Sequence, residues 1–576
     1  MPKKKNESIL LSWLKLVPIS EGQDPLGMNL RVSSRLGVQL LYCITSITPR
    51  ARYYSLIPWA LSMTPKLSVS RPQWDLVKYI ERAFAVGCIN SHEGEACKDG
   101  RLIGSNIIRR LFRKHQANII NIDALKYAKI PATNMYFRSL ANLRLFNIPE
   151  GMEEIDDENE AEKITLDRVE LSPLGQELAN AYDQVIRQIN PIKFLRVGKT
   201  SKLSDLGYWG RAGCLCSIRK GAPDQIMLRR LMFNQAGFDN RSHEFRRYSL
   251  MLILHLVDQI ADIRLSLSTG SFGSAVYFGS ILDDSQNYHR ISWPSSLNDI
   301  AMRWRMFYFH YYLTAALENL FVNIVHKANE DRLKGTNISD FLKPLSGIKF
   351  ASRFEKLLGG RLKEPFLELT PRKLFASFGV DLKAADHRSS RIFDDKVDNR
   401  NVLSEVAILD KLESKEYLFT PEGIALAFTL CITVIMRYIR WDDTRYGGWT
   451  DQAVKNAPAL NVAVPVVIRE LINRWGDFWN ISIGKLADHI IQRFIIRQHL
   501  WIAIEKSGPF FYVDGDRIIG LKKRYEKPAY GNPRLASAVI ILKDLELLVS
   551  DRDDPNLVRL SKEGKQWLKN ELCRKS

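Results

Sequence analysis

One pattern recurs three times along this 576-residue chain and narrows what it can fold into. An apolar helix runs into a polar stretch, a short strand follows, and Ser/Thr-x-x-Gly opens another helix. The first copy has helical apolar spacing over Asn134 to Phe146, then an acidic loop, then Val169-Glu170-Leu171-Ser172-Pro173-Leu174-Gly175. The last has Pro533 to Leu548, then Asp551-Arg552-Asp553-Asp554, then Val558-Arg559-Leu560-Ser561-Lys562-Glu563-Gly564. A weaker middle copy runs from Leu403 to Leu412 and on to Tyr417-Leu418-Phe419-Thr420-Pro421-Glu422-Gly423. Ser172, Thr420 and Ser561 stand where an N-cap accepts backbone N–H bonds. Pro173 and Pro421 fall at the first helical position, where a missing N–H costs nothing. Elsewhere apolar residues recur mostly at three and four, and alternation is confined to short pieces. The expected class is mainly α with small β-hairpin wings, an α+β chain of several domains.

Helix, hairpin and capped closing helix in that order resemble the winged-helix variant of the helix-turn-helix. The resemblance covers residues 101–188 and 481–576, and 401–440 less well. It divides the chain into an N-terminal helical module (1–100), a first winged helix (101–188), a mainly helical centre (189–400), a degenerate element (401–480) and a C-terminal winged helix (481–576). Such modules bind DNA or dock proteins. The last copy is the best formed. Gly484 to Lys506 reads as a long helix, and Phe510 to Ile519 as a hairpin around Asp514-Gly515, which suits a type I′ turn. Asn532 is expected to cap the next helix, with Pro533 at its first position. Leu535, Val539, Leu542 and Leu545 share one face of it. Arg534, Ser537 and Lys543 lie off that stripe, placed for a DNA groove. Asn298 to Asn329 reads as one helix, apolar nearly all round, whose aromatics Trp304, Phe307, Tyr308, Phe309, Tyr311 and Tyr312 belong in a core.

Charge narrows the partner. Lys and Arg number 83 against 64 Asp and Glu, a net +19. That excess favours a polyanion, either nucleic acid or an anionic membrane face. The most apolar run, Gly423 to Met436, is fourteen residues, short of the about 20 a bilayer requires, and reads as a buried core helix. Met1 to Lys5 with Ile9 to Val17 reads as an amphipathic first helix, because Lys15 interrupts the apolar run. Seven cysteines are too few, and odd in number, for a disulfide framework, so a reducing cytoplasm is expected. No membrane partner is expected, which leaves nucleic acid. Residues 101–145 carry nine basic side chains (Arg101, Arg109, Arg110, Arg113, Lys114, Lys126, Lys129, Arg138, Arg144) against Asp123 alone, a net +8. Residues 193–247 carry twelve basic and four acidic ones, again +8. Lys522-Lys523-Arg524 and Lys527 crowd the approach to the last helix of recognition type. Arg predominates in the first two segments and suits bidentate phosphate and base contacts. Seven carboxylates between Glu153 and Glu162 place an acidic wing on the first copy, which would avoid phosphate and instead face a basic surface or mask the site.

Near the N-terminus stand Leu26-Gly27-Met28-Asn29 and then Thr48-Pro49-Arg50-Ala51-Arg52-Tyr53-Tyr54-Ser55-Leu56-Ile57-Pro58-Trp59. This stretch is similar to uncharacterised bacterial proteins that open with Thr-x-Arg-Ala-Arg-Tyr-aromatic and end the motif in Pro-Trp. Such proteins are encoded near helicases and nucleases in anti-phage defence islands, and the resemblance implies that context without a biochemical role. Read from the residues, Arg50, Arg52 and Tyr53 can clamp a phosphate and stack on a base. The other reading puts Tyr54, Ile57 and Trp59 in a core and pairs the arginines with carboxylates.

Catalytic signatures fail on spacing. Gly198-Lys199-Thr200 ends like a phosphate-binding loop, but the required earlier Gly is Lys193. Gly270 to Ser274 with Gly279 is a small-residue strip without a partner lysine. Cys88, His92 and Cys97, and Cys214 with Cys216, lack the paired Cys spacing of structural zinc, so no metal or other cofactor is expected. His387 to Arg391 and His489 to Arg493 match a recombinase box only by chance. Asp394-Asp395-Lys396 and Asp442-Asp443 are the carboxylate pairs a metal nuclease would draw on. The leading expectation is a DNA-binding winged-helix subunit of a bacterial anti-phage defence or DNA-processing complex. It would hold duplex DNA largely through phosphates, with other subunits as partners and catalysis elsewhere. An endonuclease or toxin with a metal-dependent site, and a protein-docking scaffold, are the alternatives.

Overall fold

The structure, a computed structural model, describes residues 24–28, 33–67, 69–93, 102–114, 118–125, 127–147, 169–283, 285, 287–330, 334–359, 361–378, 404–441, 464–505, 508–521, 525–528, 530–551, 553–554 and 557–573. Several sequence expectations lie outside them: the first amphipathic helix, Cys97, Arg101, Lys126, the acidic run 153–162, His387 to Arg391, Asp394 to Lys396, Asp442-Asp443 and Lys522-Lys523-Arg524.

The chain forms two compact units, one of Met1–Leu36 with Arg305–Gly531, the other of Gly37–Trp304 with Asn532–Ser576. This division differs from the five consecutive domains expected. The segment 481–576 is split between the units at Gly531, and the last helices belong with residues 37–304.

Among the described residues helices dominate, joined by ten short strands paired in antiparallel twos. These are β1 (Ile119–Asn121), β2 (Phe146–Asn147), β3 (Glu170–Leu171), β4 (Thr200–Lys202), β5 (Ser280–Leu282), β6 (Tyr288–Arg290), β7 (Phe511–Asp514), β8 (Arg517–Gly520), β9 (Leu548–Ser550) and β10 (Val558–Leu560). The first and last copies of the recurring pattern fold alike. The helix Ala132–Asn142 is followed by β2, β3 and the helix Pro173–Ile186; the helix Leu535–Asp544 by β9, β10 and the helix Lys562–Cys573. One residue past the C-cap of each first helix the backbone turns left-handed, at Arg144 (φ 53°) or Glu546 (φ 57°). Ser172 Oγ then donates to Arg144 O at 2.6 Å and accepts from Gly175 N at 3.0 Å. Ser561 Oγ repeats this with Glu546 O at 2.6 Å and Gly564 N at 2.8 Å. The glycines are required by contact, since a Cβ at Gly175 or Gly564 would stand 2.0 Å from the carbonyl oxygen of Leu145 or Leu547.

Each of these two copies holds a two-stranded hairpin among the described residues. β1 pairs with β4, not with β2–β3, and β7–β8 belongs to the other unit from β9–β10. The described architecture is therefore helix, two-stranded hairpin and capped helix, twice. In the middle copy the cap recurs, with Gly423 N donating to Thr420 Oγ1 at 3.1 Å, but Tyr417 to Phe419 form a turn and not the expected strand.

The helix Ser295–Glu330 runs for 36 residues. Trp304, Phe307, Tyr308, Phe309 and Tyr312 are buried along it, as its all-round apolarity requires. The helix Pro421–Trp441 is longer than the fourteen-residue apolar run that marked it. By length and composition it could cross a bilayer, yet 83% of its apolar window is buried within the structure. Ile483 to Glu505 forms the expected long helix, interrupted by a π segment at Ile490–Ile496. The expected hairpin forms, with Gly515 (φ 62°) opening its two-residue turn.

Candidate functional site

The Thr48–Trp59 motif is the packing hub of its unit, and this corrects the nucleic-acid reading of its first residues. Arg50 and Arg52 are fully buried. Arg50 Nε donates to Asp544 Oδ2 at 2.9 Å, and Ala51 N reaches the same oxygen. Arg52 Nε pairs with Asp224 Oδ2 at 2.9 Å, while its Nη1 donates to Cys214 O at 2.7 Å and Ser217 Oγ at 2.8 Å. Tyr53, also buried, accepts from Ile103 N and packs on Tyr136 with ring centroids 5.0 Å apart. Burial holds the Tyr53 hydroxyl well above its usual range. Guanidiniums placed this way join distant helices, so the alternative core reading is the one the geometry bears out.

The helix Leu535–Asp544 bears on two more residues. It begins at Leu535, not Pro533, because Arg534 takes a left-handed conformation (φ 58°) and Asn532 Oδ1 accepts from Arg534 N at 2.7 Å. Arg534 therefore turns inward, Nη1 donating to Ile44 O at 3.1 Å, and burial together with the charge of Arg138 pushes it down to about 10. Ser537 is buried. Ser537 is thus withdrawn from a groove, while Arg534 is half-buried with its guanidinium on the Ile44 carbonyl. Lys543 is half-buried and donates to Ser550 Oγ at 2.9 Å. Lys527 is exposed in the other unit, on a cleft of about 890 Å³ shared with His326, Glu413, Phe419 and Tyr530.

The remaining basic residues of 101–145 behave differently. Arg110 and Arg144 are exposed, and Arg109 and Arg138 half-buried. Arg113 and Lys114 lie on the helix Ser105–Lys114 with Arg109 and Arg110. This segment does not stand alone. β1 within it pairs antiparallel with β4 of the second basic segment, Ile119 opposite Lys202 and Asn121 opposite Thr200. The lone acid of the first segment is occupied at this junction. Asp123 accepts from Arg71 Nη1 at 2.7 Å and from Gly198 N at 2.6 Å. Partial burial opposes its ionisation, but these two donors hold its carboxyl below the usual range. Gly198 (φ 75°) is thus the turn into β4, which explains why Gly198-Lys199-Thr200 is no phosphate loop. Lys193, Arg196, Lys199 and Lys202 are exposed along the approach and the strand itself. In the sequence these four are part of a charged segment, and no local pattern sets them apart.

The carboxylate pairs proposed for a nuclease lie outside the described residues. His489 and Arg493 are held by Glu470, 3.4 and 3.0 Å away, in an ion-pair arrangement. One set of three side chains able to hold a metal occurs among the described residues: His92, Cys214 and Cys216, with all three donor atoms within 4.8 Å of one another. Spacing does not reveal it because His92 and the Cys214–Cys216 pair sit in different segments, 122 positions apart. Comparison with family models, curated proteins and solved structures finds no match.

Proposed function

We propose that the unit containing residues 37–304 binds nucleic acid, duplex DNA in the first place, by docking phosphates on exposed basic side chains. The β1–β4 pairing carries this reading, since it fastens together two segments of net +8 each. Lys193, Arg196, Lys199 and Lys202, with Arg110 and Arg144, supply the contacts; Arg50, Arg52, Tyr53, Arg534 and Ser537 hold the scaffold. Phosphate recognition of this kind is independent of sequence and is driven by counterion release. The protein would act in the cytoplasm as one subunit of a bacterial defence or DNA-processing assembly. Fluorescence anisotropy on a labelled duplex tests it. Replacing Lys193, Arg196, Lys199 and Lys202 with Ala should weaken binding about tenfold or more, while removing four charges at Lys349, Lys356, Arg361 and Lys363 should leave it within about twofold.

A docking scaffold is the second reading, and one observation favours it. Trp501 (54% exposed) and Ile504 (78% exposed) stand three residues apart on the helix Arg497–Glu505. Large apolar side chains left outward on one helix face mark a surface for another protein. Binding to neighbouring gene products that is lost in W501A/I504A, without binding to DNA, would establish that reading instead.

A further inference from the structure

We propose that His92, Cys214 and Cys216 form a Zn²⁺ site with three protein ligands and a fourth coordination position facing solvent. It is independent of the nucleic-acid reading. The donor atoms form a small triangle: Cys214 Sγ to Cys216 Sγ 3.6 Å, His92 Nε2 to Cys216 Sγ 3.2 Å, and His92 Nε2 to Cys214 Sγ 3.5 Å. Tetrahedral zinc with bonds of about 2.3 Å to sulfur and about 2.0–2.1 Å to nitrogen requires edges of about 3.8 Å between sulfurs and about 3.5–3.6 Å from sulfur to nitrogen. The observed edges fit that polyhedron to within a few tenths of an ångström. A disulfide would need the sulfurs about 2.05 Å apart, and at 3.6 Å these are not bonded.

The scaffold presents the three donors together. The helices Gln73–Ser91 and Leu203–Gly213 meet backbone to backbone through glycine, and a Cβ on Gly210 would stand 2.0 Å from the carbonyl oxygen of Gly87. His92 is the C-cap of the first helix and Cys214 that of the second. Both caps carry the negative end of a helix dipole, which favours a cation. The turn Leu215–Ser217 that follows is locked by buried Arg52, whose Nη1 holds Cys214 O and Ser217 Oγ. One role of the Arg-Ala-Arg motif is thus to position a Cys-x-Cys turn. Two thiolates and an imidazole are a donor set that suits zinc, and Cys216 is exposed, with His92 half-exposed, so the remaining position opens outward.

Metal analysis of the full chain, purified without chelators from zinc-supplemented cells, tests this, together with Co²⁺ titration of the stripped protein. Expected are about one zinc per chain and a cobalt spectrum with thiolate-to-metal charge transfer. C216S, at an exposed position, should fold as judged by circular dichroism and lose most of the zinc. H92Q should do likewise, while C573S, at an exposed cysteine elsewhere, should retain it. Wild-type protein lacking zinc and giving no cobalt–thiolate band would overturn the proposal, as would formation of a Cys214–Cys216 disulfide in its place. Zinc retained in full by a C214S/C216S double variant would overturn it as well.

Discussion

Buried charge carries much of the architecture at the scale of single residues. Arg50 and Asp544 lie 494 positions apart and meet at 2.9 Å with both side chains almost fully buried. A charge left in such a site without its partner is costly. D544A should therefore destabilise its unit by about 3–5 kcal/mol in urea unfolding, whereas R50M/D544L should recover a substantial part of the loss. His310 is a second buried polar group. Its ring has no hydrogen-bond partner among the described residues, and burial drives it down to about 3. The unfolded chain protonates this group near pH 6.5 and the folded one only near 3. Its contribution to stability is thus present above about pH 6.5 and is lost as pH falls towards 3. H310L should flatten the acid side of the stability profile by up to about 1.4 kcal/mol per pH unit between pH 6 and 4, measured as the urea midpoint against pH.

Among the elements, the repeated junction between hairpin and capped helix is specified locally and was readable as such. Ser-x-x-Gly names the cap and the close approach in four residues, so Ser172, Gly175, Ser561 and Gly564 all do what their spacing implies. S561A should cost about 1 kcal/mol for the lost cap. G564A should cost more, because its Cβ would collide with the Leu547 carbonyl and the helix must move, and thermal unfolding of the two variants gives the order. Features set by distant partners were not readable. Nothing in Ile119–Asn121 names Thr200–Lys202 as its partner, and the Arg534 side chain turns inward because of a left-handed backbone that Asn-Pro-Arg does not announce. The metal-binding triad fell outside any spacing rule because 122 residues separate His92 from Cys214. The sequence leaves burial of the Arg-Ala-Arg-Tyr motif as one of two readings, and the position of Asp224 and Asp544 decides between them.

For the whole molecule, a net charge of +19 becomes meaningful only once its buried part is set aside. Arg50, Arg52, Arg229 and Arg246 are enclosed and bonded to carboxylates or carbonyls, so they offer nothing to a polyanion. What remains outward in residues 193–247 includes Lys193, Arg196, Lys199 and Lys202, joined by β1–β4 to the first basic segment. The salt dependence of duplex binding tests the assignment most directly. If each of these four side chains neutralises a phosphate, the slope of log K against log salt should become shallower by about 3–4 in the K193A/R196A/K199A/K202A variant than in wild type. A wild type that binds without salt dependence, or a variant whose slope and affinity match wild type, would contradict the account.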